Sequence, residues 1–107
     1  MNKKLKKDHN IEIVMRELRS YFKERLKKVI IFGSRARGDY SKESDYDCLI
    51  ILDKIRPNDE KVLDDIETRM LLSHYVLFST FLFTEEQLKK RRYEPFLMNA
   101  QSEGVTL

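Results

Sequence analysis

Two stretches decide the fold: Val29-Ile30-Ile31-Phe32-Gly33-Ser34-Arg35-Ala36-Arg37-Gly38-Asp39 and, five residues later, Asp45-Tyr46-Asp47-Cys48-Leu49-Ile50-Ile51-Leu52. Each holds a short, β-branched apolar run, which predicts a buried strand. Residues 34–44 are polar with one internal glycine and read as a turn holding at most one helical turn. A turn of that length is too short for a parallel crossover, so the two strands are expected to run antiparallel.

Upstream, Ile11, Val14, Leu18, Tyr21, Phe22 and Leu26 recur at helical spacing. They predict a helix from Asn10 to about Lys27, with Asn10 as N-cap. Residues 1–9 read as a frayed basic lead-in. Downstream, Pro57 stops the second strand and opens a helix whose apolar face is Val62 or Leu63, Ile66, Met70 and Leu71. Tyr75 to Phe83 reads as a third strand, apolar on both faces and therefore central or covered. Thr84 with Glu86 and Gln87 reads as a capping-box helix start. A last helix is expected from Pro95 to about Ser102, ended by Gly104. The expected class is α/β (α+β): a small mixed β-sheet with helices packed on it, in a single domain spanning 1–107.

Of 107 residues, 32 are Leu, Ile, Val or Phe, which excludes a disordered tail or a collagen-like fibre. Cys48 is the sole cysteine, which excludes a disulfide scaffold and a thiolate metal site. No apolar run approaches the ~20 residues of a membrane helix, and a soluble, cytoplasmic protein is expected. The formal charge is +3. Its clusters are Lys3, Lys4, Lys6 and Lys7, then Lys89, Lys90, Arg91 and Arg92. They lack the interleaved aromatic residues of a base-stacking surface and read as solubilising, so a nucleic-acid partner is not favoured. A homo-oligomer is left open.

The chemistry sits where the two deciding strands meet. Gly33 lets backbone approach a bulky ligand. Amide groups of the following turn and the Ser34 hydroxyl suit phosphate oxygens. Asp45 and Asp47, two apart on a strand, share one face, with Tyr46 and Cys48 on the other. Paired carboxylates beside a phosphate cradle suit Mg²⁺, which takes a few carboxylate oxygens plus substrate phosphates. That is equipment for phosphoryl or nucleotidyl transfer. Elsewhere the bland readings hold: His9 and His74 as a tail and a helix-end residue, Cys48 as a buried small hydrophobe, Tyr40 as a turn residue. Arg35 receives no role.

The segment GSRARGDYSKESDYD resembles the signature of the DNA polymerase beta-like nucleotidyltransferases, and most closely the minimal nucleotidyltransferases. That resemblance implies the polymerase beta-like fold and transfer of a nucleoside monophosphate from a magnesium-bound triphosphate, ATP or another, onto a hydroxyl. It implies nucleotide binding by Gly33, Ser34 and Arg37, and catalytic and metal-ligating roles for Asp45 and Asp47. It also implies a HEPN-type partner protein, with the chain as an antitoxin that adds AMP to a toxic ribonuclease. The chain departs from the family in one respect. The third strand lacks the usual third carboxylate, and Ser79 or Thr80 takes its place. Asp53 lies beyond the expected position, and Glu85 and Glu86 follow the strand. The alternative reading is therefore a catalytically weak or inactive nucleotide-binding module that regulates a partner by contact. Modification of RNA ends or small molecules is less favoured.

Overall fold

In the computed structural model the described residues are Leu5, 7–38, Ser41 and 44–107. The first helix, α1 (His9–Phe22), starts where the Asp8 carboxylate accepts the N–H groups of Asn10 and Ile11, at 2.8 and 3.2 Å. The cap is thus Asp8 and not Asn10. Asp8 also accepts the Tyr46 hydroxyl at 2.6 Å, a tertiary bond that no local pattern reveals. Leu5 is buried in the core, so packing begins inside the basic lead-in.

α1 ends at Phe22, one 3-10 turn follows (Lys23–Arg25), and strand β1 occupies Leu26–Phe32. Leu26 fits the helical spacing but pairs with Leu52 of β2 (Tyr46–Leu52). Helix α2 is the single turn Ser34–Arg37, and α3 (Asp59–His74) carries the chain to β3 (Phe78–Thr84). Helix α4 (Glu85–Lys90) opens on the Thr84–Gln87 capping box, and α5 is Pro95–Glu103. A two-residue strand, β4 (Val105–Thr106), closes the order.

The sheet runs β3-β2-β1-β4, with β1 antiparallel to both β2 and β4 and β2 parallel to β3. It is therefore mixed, as expected. Strand β3 is an edge strand, so of the two expectations, central or covered, it meets the second. Its apolar residues are used because helices cover both faces. Val29, Ile31, Cys48, Ile50 and Phe78 pack with α1 and α3. Ile30, Phe32, Leu49 and Ile51 pack with Leu97 and Ala100 of α5, flanked by Phe81 and Phe83. On α3 the buried positions are Asp59, Leu63, Ile66 and Met70, while Leu71 lies off that stripe, exposed.

Buried Asp59 is matched by Arg25, with contacts of 2.7 and 2.9 Å. The Arg56 N–H at 2.7 Å and the Tyr21 hydroxyl at 3.2 Å complete the carboxylate's partners. This network ties the 3-10 turn to the start of α3. Among the described residues no helix is long and apolar enough to cross a membrane.

Candidate nucleotide site

β1 ends in Gly33 at φ 75°, ψ −156°, a conformation that L side chains rarely adopt. A Cβ there would lie 2.3 Å from Asp47 Oδ2. Only glycine lets this turn lie against the carboxylate, which the antiparallel register supplies by pairing Phe32 with Asp47. The Gly33 carbonyl then accepts the N–H groups of Ala36 and Arg37, both at 3.1 Å, and Gly38 closes α2 at φ 87°. Ser34 opens that turn, half-buried beside the carboxylate face.

Arg35, which the sequence left without a role, points inward. Its guanidinium lies 4.1 Å over the Tyr46 ring and donates to the Ser44 carbonyl from Nε (3.3 Å) and Nη2 (3.0 Å). Tyr46 stacks on Phe78, with centroids 4.5 Å apart and planes within 6°, and donates its hydroxyl to Asp8. Tyr46 is thus held from several sides, which fixes the strand's pleat. Asp47, half-buried, therefore projects from the other face, and exposed Asp45, just before the strand, is near enough for its charge to act on Asp47. Burial chiefly, then the charge of Asp45, pushes the Asp47 carboxyl above its usual range; Arg37 opposes the shift and Glu103 adds to it.

Glu103, the last residue of α5, is a site neighbour that sequence reasoning missed. Its Oε1 accepts the Gly33 N–H at 3.3 Å, and both its oxygens lie 3.2 Å from Arg37 Nη1. No local signal marks it, because β4 alone carries the end of α5 to this edge of β1.

Of the two candidates for the missing carboxylate's place, Ser79 is the register partner of Asp47 and shares its face. Thr80 pairs with Cys48 on the opposite face, where its N–H (3.1 Å) and its hydroxyl both donate to Glu67 Oε2. Asp53 bonds the Lys54 N–H beyond β2, and Glu85 and Glu86 line a cleft with Lys27 and Lys28 at the far end of the sheet. Cys48 is buried, and burial pushes its thiol up to about 12, so it is no nucleophile. His9 and His74 are exposed at helix ends. Asp39 and Tyr40 lie outside the described residues.

Among the described residues no group of three Asp, Glu, His or Cys side chains is placed to hold a metal ion. The donor set that remains, Asp45 and Asp47 with Arg37 as the nearby cation, fits a hard divalent ion only if a ligand brings further oxygens, as magnesium–phosphate sites do. Among the described residues the arrangement is a ledge at one end of the sheet, with the Gly33 turn and an arginine beside two carboxylates.

A model of the nucleotidyltransferase domain matches residues 11–100. A protein of Methanocaldococcus jannaschii named as a protein adenylyltransferase is 39% identical over 90 residues, which covers 84% of this chain and 86% of that protein. A second protein of that organism with the same description is 33% identical over 99 residues, covering 89% and 95%. Among solved structures, a toxin–antitoxin complex with AMP-PNP superposes with a TM-score of 0.64 at 13% identity, over 92% of this chain and 72% of that one. A nucleotidyltransferase from Sulfolobus solfataricus gives 0.51 at 27% identity, over 89% and 72%.

Proposed function

The chain belongs to the nucleotidyltransferase family, and we propose that it moves AMP from magnesium-bound ATP onto a hydroxyl of a partner protein. The observation that carries this reading is the contact of the Gly33 turn with Asp47, with the charge of Asp45 close by. In this reading Asp45 and Asp47 would hold Mg²⁺ jointly with triphosphate oxygens, and the ion, when bound, would supply Lewis-acid polarisation of the phosphate. The Gly33 N–H and the Ser34 hydroxyl receive phosphate oxygens, and the Arg37 guanidinium adds positive charge beside them. The acceptor oxygen bonds to the α-phosphorus, the bond to the β-phosphate oxygen breaks, and pyrophosphate leaves; the hydroxyl proton passes to a carboxylate or to solvent.

In this reading the acceptor comes from another molecule. Both M. jannaschii relatives are named as protein adenylyltransferases, and one structural neighbour is titled as a toxin–antitoxin MntA-HpeT variant. These names favour a protein acceptor. A cytoplasmic antitoxin role toward a HEPN-type partner is the form of it we infer.

One observation favours a second reading. Ser79 stands on the Asp47 face of β3, where a third carboxylate would complete a metal site. A hydroxyl neither carries the charge nor takes the proton of a carboxylate at neutral pH. A slow or inactive chain that binds nucleotide and regulates its partner by contact fits that feature. The two readings separate in one assay, incubation with Mg²⁺ and ATP labelled at the α-phosphate in a lysate of the source cell. Label in a discrete protein band, absent with Asp45→Asn/Asp47→Asn, supports transfer. Nucleotide binding without transfer supports the regulatory module, and equal labelling by wild type and variant overturns the proposal.

A further inference from the structure

Glu103 stands on the two groups just assigned to phosphate. Its Oε1 accepts the Gly33 N–H at 3.3 Å, and its carboxylate forms an ion pair with Arg37 at 3.2 Å. The residue is well placed to do so. Gly104, which follows it, has no room for a Cβ, which would lie 2.2 Å from the Ala100 carbonyl and 2.3 Å from the Ile30 side chain. β4 then pairs Val105 with Ile31 and Thr106 with Ile30. The end of α5 is thereby clamped against the end of β1, with the Glu103 carboxylate held over the Gly33 turn.

A carboxylate on an N–H donor and a guanidinium occupies the place and the charge of a phosphate. We propose that Glu103 is an autoinhibitory competitor: an internal anion that holds the phosphate donors and must be displaced from them by a ligand carrying several anionic oxygens. This rests on the reading of Gly33 and Arg37 as triphosphate donors. With Asp45 and Asp47 nearby, Glu103 makes the empty ledge anionic. A ligand with little charge gains too little from the donors to displace it, whereas a triphosphate with its cation supplies both the competing oxygens and the neutralising charge. Glu103 is thus a competitor of the substrate and not a third metal ligand, in keeping with the absence of a three-ligand cluster among the described residues.

The test is equilibrium titration of the full chain with ATP and with adenosine, each with Mg²⁺ and with chelator, for wild type, Glu103→Gln and Glu103→Ala. Circular dichroism and thermal melting check that the variants fold. Glu103 is partly exposed, and an ion pair of that kind contributes on the scale that predicts ATP binding tighter by up to about fivefold once it is removed. The gain is expected in both variants, with and without Mg²⁺, while adenosine, which has no phosphate, binds all three proteins alike. ATP binding that is unchanged or weakened in both variants overturns the inference, and weakening confined to the Mg²⁺ titration identifies Glu103 as a metal ligand instead. If wild type and variants alike fail to bind ATP, the assignment of Gly33 and Arg37 fails first and takes this inference with it.

Discussion

Asp47 is held half-buried beside Asp45, with Glu103 near and Arg37 as partial compensation, and its carboxyl is pushed above the ordinary range. Such a group costs stability while ionised, so the fold keeps it against its own interest. Asp47→Asn is expected to raise the melting temperature while abolishing nucleotidyl transfer. A thermal melt read beside the transfer assay checks this; a destabilised variant would mean that Asp47 serves the fold. Asp59 behaves in the opposite sense. The Arg25 guanidinium holds its carboxyl below the usual range. The pair's contribution is therefore fully present above the unfolded carboxylate value, about pH 4, and is lost as pH falls through the lower folded value. Asp59→Asn should cost about 3–5 kcal/mol at neutral pH by leaving Arg25 buried and unpaired. Denaturant titrations should show that difference from wild type shrinking toward pH 3. At this scale Gly33, Asp45 and Asp47 were legible because the motif is contiguous. Arg25, Asp59 and Glu103 were not, because their partners are distant in sequence and join only through packing.

Among the elements, β1 and β2 were legible from apolar runs of four and five residues, 29–32 and 48–52. β4 was not, because two residues carry no period and its pairing with Ile30 and Ile31 depends on where α5 ends. The boundary between α1 and β1 escaped the pattern because Leu26 satisfies the helical spacing and the strand register alike. β3 read as central or covered because both of its faces are apolar; it lies at the edge and is covered, with α3 on one face and the α5 side on the other. Its open edge is partly closed by Glu67, which accepts the Thr80 N–H, a device that blunts pairing with other chains. The close approach of α5 to β1 yields a prediction at this level. Gly104→Ala forces a methyl group into the Ala100 carbonyl and the Ile30 side chain and is expected to cost about 1–3 kcal/mol by overpacking. A denaturation curve with an unchanged midpoint would contradict the clamp.

For the whole molecule, the sheet order brings the ends of β1 and β2 and the last turn of α5 to one ledge, while the far end of the sheet carries Lys27, Lys28, Glu85 and Glu86. The mixed α/β architecture was readable from the alternation of strand and helix. That α5 ends beside β1 was not, since it depends on the length and direction of the connecting elements. In the proposed reading a partner supplies the acceptor and a nucleoside triphosphate is the donor. The most direct measurement is a pair of incubations with the partner-containing lysate and Mg²⁺, one with ATP labelled at the α-phosphate and one with label at the γ-phosphate. Nucleotidyl transfer predicts α-label fixed on protein, γ-label recovered only in pyrophosphate, and neither event with Asp45→Asn/Asp47→Asn. Label from the γ-phosphate on protein, dependent on Asp45 and Asp47, would contradict the account.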